Sequence, residues 1–330
     1  MELNKLRWEA LSNIGLPYIY VKNYINKNFK LEVSENSFEE LSQSLKSEYD
    51  IIDEYELLFE LEDIAYKKIA LFSLRDKEKE ELENVVFREN FLKANRLFNT
   101  VNNKKVKEVD EVAYPSYIKF GDDYIIIKIS QLRHYQGMEV DDDNTINPIS
   151  KTYYHSSKFI IDLKNSLVAL FYNDIQNELD DGNTKAKAIT EKKQAFYSLF
   201  SEGNQNTLLK FNIEPYINKY IKNYLECLES NKLENCQSVI VIETSDPIEL
   251  KNNLRSSKKD GRHNEYRLKA IKYALEHEEH TVKTMESIIA NRWFQFKSYG
   301  EIVSSIPYLS REVIESVCEE LFPNYKITNY

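Results

Sequence analysis

The sequence predicts an α+β protein: a helical N-terminal region, a β-rich middle, and an α/β-to-helical C-terminal half ending in a helix-turn-helix-like pair. Three observations carry this. Over residues 51–74 the apolar positions recur at three and four, as in Leu57, Leu58, Leu61, Ile64, Ile69 and Phe72, which is helical spacing. Between 117 and 172 the pattern changes to short apolar runs separated by turn residues, as strands require. From Gln237 onward one apolar run is followed by long segments of helical spacing. The chain of 330 residues has room for about two domains or more. Composition shifts divide it into a helical domain with an acidic helix (1–105), a β-rich region (106–185) and an α/β-helical domain (186–330).

The elements follow in order. Ser37 and Glu40 have capping-box spacing at the start of the helix FEELSQSLKSEY. The spacing of residues 51–74 predicts a helix there, and a further amphipathic segment covers 77–98. Residues 100–110 are polar and read as a linker. Residues 117–120 and 124–129 flank Gly121-Asp122-Asp123, a hairpin signal. Residues 138–148, with EVDDDNTINP, read as a loop. KFIIDLKNSLVALFY, 158–172, reads as two strands joined by Leu163-Lys164-Asn165-Ser166. Residues 174–187 are polar and loop-like, and helices are expected near 189–199 and 212–228. The apolar run 239–242 reads as a buried strand. Ser245 and Pro247 then mark a helix start, and a second helix runs from 265 to 290 toward Trp293. Two short amphipathic helices near 299–305 and 310–321 complete the helix-turn-helix-like pair, with Ser310 as N-cap of the second.

Composition excludes several function classes. Seven glycines are few, and there is no GxGxxG and no GxxxxGK[ST], so phosphate cradling by a Walker or Rossmann loop is not expected. No GxSxG or HExxH is present. The cysteines, Cys227, Cys236 and Cys318, form no CxxC pair, which points to reduced thiols and no structural zinc. No window approaches the ~18 apolar residues of a membrane span, and no secretory leader is visible, so a cytoplasmic protein without membrane partners is expected. High Asn, Lys, Ile and Tyr usage fits an AT-rich bacterial or phage genome. With no housekeeping motif present, a defence or anti-defence system is the expected setting.

Charge is unevenly distributed. The chain carries a net charge of −10, yet residues 251–272 hold eight Lys or Arg against two acids, a local charge of +6. Lys and Arg in such a cluster neutralise phosphates and release counterions. Arg255, Lys258, Lys259, Arg262, Arg267, Lys269 and Lys272 are therefore the candidate nucleic-acid-binding residues, with Tyr266 and Tyr273 interleaved. The plainer reading is a solvated face that pairs with an acidic surface. Residues 47–63 supply one such surface, with eight acids and no Lys or Arg. That run is either an ordinary solvated helix face or a docking element for a protein partner.

The leading expectation is a non-enzymatic binding protein, a homo-oligomer, that engages nucleic acid or a nucleic-acid-processing complex and needs no cofactor. Two alternatives stand beside it. One is a Mg²⁺-dependent nuclease in which Asp141 (or Asp143) and Asp162 bind the metal and Lys164 assists. The spacing of these residues resembles the PD-(D/E)xK pattern, but no Pro-Asp precedes the first acid, and Asp162-x-Lys164 is also what a polar hairpin turn looks like. The other is a protein-only inhibitor or assembly module docking through 47–63. VIVIETSD resembles the first motif of TOPRIM domains, but no Asp follows Asp260 to supply that family's second motif. In the helix-turn-helix-like pair the second helix holds Arg311 among Glu312, Glu315, Glu319 and Glu320, a charge that disfavours DNA. His277 and His280 lie three apart on an exposed polar face, and His134 and His155 flank the Asp-rich loop without metal-site spacing.

Overall fold

A computed structural model describes residues 3–47, 49, 51–140, 145–173, 184–200, 203, 207–211, 217, 239–244, 282–289, 292–297 and 300–304. Mixed helix and strand confirm the α+β class. The chain forms two compact units. The first comprises Met1–Lys67, Ser73–Leu209 and Pro307–Leu309, and the second Lys68–Phe72, Lys210–Ile306 and Ser310–Tyr330. Among the described residues no helix is long and apolar enough to cross a membrane.

The first unit opens with four helices: α1 (Leu3–Asn13), α2 (Tyr18–Phe29), α3 (Phe38–Ser47) and α4 (Glu54–Ile64). Their apolar stripes meet in one core holding Trp8, Leu11, Val21, Ile25, Leu41, Leu45, Leu57, Leu58 and Leu61. Local chemistry sets the ends. Pro17 precedes α2, and Lys30 closes it in the left-handed region at φ 55°. At α3 the Glu40 N–H donates to Ser37 Oγ at 3.2 Å, and the Glu40 carboxylate accepts from the Asn36 N–H at 2.8 Å. The capping box is therefore present, with its return bond one residue early. Asp53 caps α4 by accepting from the Tyr55 and Glu56 N–H groups.

Strand β1 (Lys68–Leu74) corrects the helical reading of 51–74. The helix ends at Ile64, and from Ile69 and Leu71 onward burial follows a period near two. The segment expected as one helix over 77–98 is two: α5 (Asp76–Glu83) and α6 (Val85–Ala94). Asn84 divides them, since its backbone is extended and its side chain accepts from the Phe87 N–H at 3.2 Å.

Strands β2 (Tyr114–Phe120), β3 (Tyr124–Val140), β4 (Ile146–Asp162) and β5 (Leu167–Tyr172) form an antiparallel array in that order. Both predicted hairpin turns are present. The loop expected over 138–148 is narrower, because pairing continues to Val140↔Ile146. Pro148 fits within β4 because it faces Met138 at a position whose N–H points away from β3, so no ladder bond is lost. Helix α7 (Thr184–Tyr197) begins inside the stretch expected to be loop, and Phe196 stacks on Phe159 at 4.4 Å between ring centres. A short strand, β6 (Leu208–Lys210), follows.

In the second unit β1 pairs antiparallel with β10 (Glu301–Ser304), followed in order by β9 (Arg292–Lys297), β8 (Val282–Ile289) and β7 (Val239–Thr244). The predicted strand at 239–242 is confirmed. Two expectations are corrected: 282–289 is strand where a helix to 290 was expected, and 301–304 is strand where the first helix of the helix-turn-helix-like pair was expected. For 282–289 the reason is pairing, with β7 on one side and β9 on the other, and in β9 and β10 burial alternates as a paired strand requires. Phe294, Phe296, Ile302 and Ser304 are buried and alternate with partly exposed Gln295, Lys297, Glu301 and Val303. Residues 310–321, the helix expected over 212–228 apart from Ile217, and the helices expected after Ser245 and from 265 to 281 lie outside the described residues.

Gly300 joins β9 to β10 at φ 89°, and a Cβ there would lie 2.5 Å from Phe211 O and 3.1 Å from Leu71 O. Its carbonyl accepts from the Leu71 N–H at 2.8 Å. Gly300→Ala is expected to cost about 1–3 kcal/mol, read as a lower urea midpoint at unchanged slope.

Candidate functional site

The described polar chemistry concentrates on the two faces of the β3–β4 pair in the first unit. Strand alternation sorts the residues. The rungs Lys128↔Lys158, Ser130↔Ser156 and Leu132↔Tyr154 belong to one face. Ile129↔Ser157, Gln131↔His155 and Arg133↔Tyr153 belong to the other.

On the first face two lysines sit directly opposite each other, an arrangement that repels unless acids compensate it. The last turn of α4 supplies them. Lys128 Nζ lies 2.5 Å from Glu62 Oε2 and 3.8 Å from Asp63 Oδ1, and Lys158 Nζ lies 3.0 Å from Asp63 Oδ2. Helix α1 adds Arg7, whose Nε donates to Glu62 Oε1 at 2.6 Å. Tyr154 donates to Glu62 Oε2 at 3.3 Å and shares a 2.9 Å hydrogen bond with Ser130 Oγ. Lys128 also lies 4.1 Å from the centre of the Phe59 ring. Arg7, Glu62, Lys128, Lys158 and Tyr154 are all buried.

Burial acts to raise the Glu62 carboxyl, but Arg7 and then Lys128 outweigh it and hold Glu62 below the usual carboxylate range. Burial pulls the Lys128 ammonium down despite Glu62 and Asp63, and Arg7 adds to that pull. The Tyr154 phenol is raised by burial and next by Glu62, so it stays neutral and donates. The cluster is thus a charge-compensated joint between α1, α4 and the sheet.

The second face meets α7. Lys192 is fully buried, and its Nζ donates to Gln131 Oε1 at 2.7 Å. Gln131 Nε2 in turn donates to Glu191 Oε2 at 2.7 Å, and Arg133 Nη1 donates to the same oxygen at 2.6 Å. His155 Nε2 lies 3.3 Å from Asn173 O, while His155 Nδ1 and Ser157 Oγ are buried with no hydrogen-bond partner among the described residues. Burial, then Arg133, pushes Lys192 down to about 7. Burial, then Lys192, pushes His155 down to about 3, so it is neutral at ordinary pH.

Several residues singled out in the sequence can be placed. Asp162 is buried at the β4–β5 turn, accepting from the Asn165 N–H at 3.0 Å and from Asn165 Nδ2 at 2.6 Å, and Lys164 is exposed. Asp141 and Asp143 lie outside the described residues, as do Arg255, Lys258, Lys259, Arg262, Arg267, Lys269 and Lys272. No group of three or more His, Cys, Asp or Glu among the described residues could hold a metal ion. His134 bonds Thr152 and Glu111 at 2.7 and 3.0 Å.

The sequence reading did not single out Arg7, Glu62, Lys128, Lys158 or Lys192. One signal was available: Lys128 interrupts the apolar run YIIIKIS, where the strand pattern demands a core residue.

Two outcomes follow. Glu62→Gln leaves two buried cations short of a counter-charge and is expected to cost about 3–5 kcal/mol in chemical denaturation. Lys192 has a folded value near 7 against 10.5 unfolded. The unfolded chain therefore holds more protons between those values, and this group's penalty is full below pH 7 and relieved as pH rises toward 10.5. Relative to Lys192→Met, the parent's stability should rise across that window by up to about 1.4 kcal/mol per pH unit. A flat difference would reject the assignment.

No family model, curated protein or solved structure matches this chain.

Proposed function

We propose that the chain is a non-enzymatic binding protein that engages nucleic acid through the basic stretch 251–272. One observation favours this reading over a basic stretch neutralised by the acidic run. Five of the six described carboxylates of residues 47–63, all but that of Glu56, have partners within the first unit. Asp53 caps α4 and pairs with Lys105 at 2.5 Å. Glu54 accepts from Asn4 and Trp8, and Glu60 from Tyr24 and Lys104. Glu62 and Asp63 serve the buried lysines. With five acids so engaged, the run has less charge to offer either the +6 stretch or an outside protein partner. The basic stretch then keeps its attraction for a polyanion within a Debye length of about 8 Å.

The test is electrostatic. Binding of duplex DNA, followed by fluorescence anisotropy across NaCl concentrations, is expected to give a log–log slope of about −5 to −7 if six to eight cations contact phosphates. Reversing Lys258, Lys259 and Arg262 to Glu should abolish binding while far-UV circular dichroism stays unchanged. If the triple variant binds DNA and RNA as the parent does, the reading is wrong.

A further inference from the structure

The β3–β4 pair outruns its neighbours. β2 pairs with β3 from Ile125 to Ser130, and β5 pairs with β4 over Lys158–Asp162. From Gln131↔His155 to Val140↔Ile146 the two strands pair, among the described residues, with each other alone. About ten rungs make a ribbon about 30 Å long. The inner rungs are held by α1, α4 and α7 through Tyr154, Arg133 and Gln131. The outer rungs form a two-stranded ribbon, an element of marginal stability in water by itself.

Its two edges differ. The Leu132 N–H donates to Asp110 O at 2.8 Å, so the N–H and C=O groups of even-numbered β3 residues point away from β4. His134, Gln136 and Met138 therefore present an outward row of main-chain donors and acceptors. The β4 edge is protected: Pro148 has no N–H, and Lys151 is exposed. The β3 edge carries neither Pro nor Lys from 131 to 140. It also carries Met138, 76% exposed, next to exposed Pro148.

We infer that the chain forms a two-fold dimer by antiparallel pairing of this β3 edge, centred on Gln136. An isologous contact needs a self-complementary surface, and an unprotected antiparallel edge is one. The register follows from the geometry. Outward-pointing residues must face outward-pointing residues, so the centre falls on a residue and not between two. Centring on Gln136 keeps every rung from Leu132 to Val140 inside the strand. It sets His134 opposite Met138, Arg133 opposite Glu139 and Tyr135 opposite Gly137, and forms about six main-chain hydrogen bonds. Leu132, whose N–H is already held by Asp110, marks the inner end. This dimer does not depend on nucleic-acid binding.

Sedimentation and cysteine linkage test it. The full chain at about 100 μM is expected to sediment as a dimer. In a background with Cys227, Cys236 and Cys318 changed to Ser, Gln136→Cys sits on the two-fold axis. There facing Cα atoms are about 5.5 Å apart, within disulfide reach, so mild oxidation should give a covalent dimer. Ser150→Cys, on the β4 rung facing Gln136, should remain unlinked. Met138→Pro removes an outward N–H without breaking a β3–β4 bond. It should sediment as a monomer with unchanged circular dichroism. A parent chain that is monomeric at that concentration overturns the inference. So does Ser150→Cys linking as readily as Gln136→Cys, or a Met138→Pro variant that stays dimeric.

Discussion

Glu62 is the shared counter-charge on which the first unit depends. One of its oxygens accepts from Arg7 of α1, and the other lies against Lys128 of β3 and accepts from Tyr154 of β4. Four elements meet at one carboxylate. A buried ion network of this kind contributes little net stability over a well-packed apolar cluster, but losing one member is costly because the remaining charges stay buried. Its structural effect is positional. An apolar interface tolerates sliding by a turn or a rung, whereas Arg7 and Lys128 reach Glu62 only when α1, α4 and the sheet are in register.

Asp63 extends the same logic by one residue. Glu62 and Asp63 are consecutive at the C-terminal end of α4, and Lys128 and Lys158 are cross-strand partners. Two acids thus meet two cations where the helix dipole already favours positive charge. The Lys128 ammonium also lies 3.5 Å from Phe59 O, a carbonyl of that final stretch. The opposite face of the sheet is built differently. Lys192 meets a neutral amide, Gln131 Oε1, and its neighbour Arg133 is taken by Glu191. One face is compensated by charge and the other by a neutral amide, and burial, then Arg133, draws Lys192 down to about 7.

Local chemistry was legible in the sequence and long-range partnership was not. The turns at Gly121–Asp123 and Leu163–Ser166 are set by residues within a few positions, and both were readable. The caps at Ser37 and the strand at 239–242 were equally local. Strands β8 to β10 were missed because their apolar positions fit three-four spacing nearly as well as two, and what decides the matter is pairing. For β10 the deciding partner is β1, far upstream. Lys128 was visible as an anomaly in an apolar strand, but Glu62 and Arg7 precede it by more than sixty residues in the chain and no spacing rule connects them. Asp162 was read both as a catalytic candidate and as a turn residue. Its two bonds to Asn165 show the local role it plays in the turn.

The pairing of β1 with β10 also has a consequence for synthesis. Ile69 faces Ile302 across that ladder. A ribosome adding about 5–20 residues per second takes about ten to fifty seconds to pass from one to the other. During that time KIALFSL has no β10 partner. Nascent chains of this protein therefore carry a sticky edge through most of translation. The order in which the fold receives its strands thus leaves the β10 side of β1 without its partner until about 230 further residues have been added.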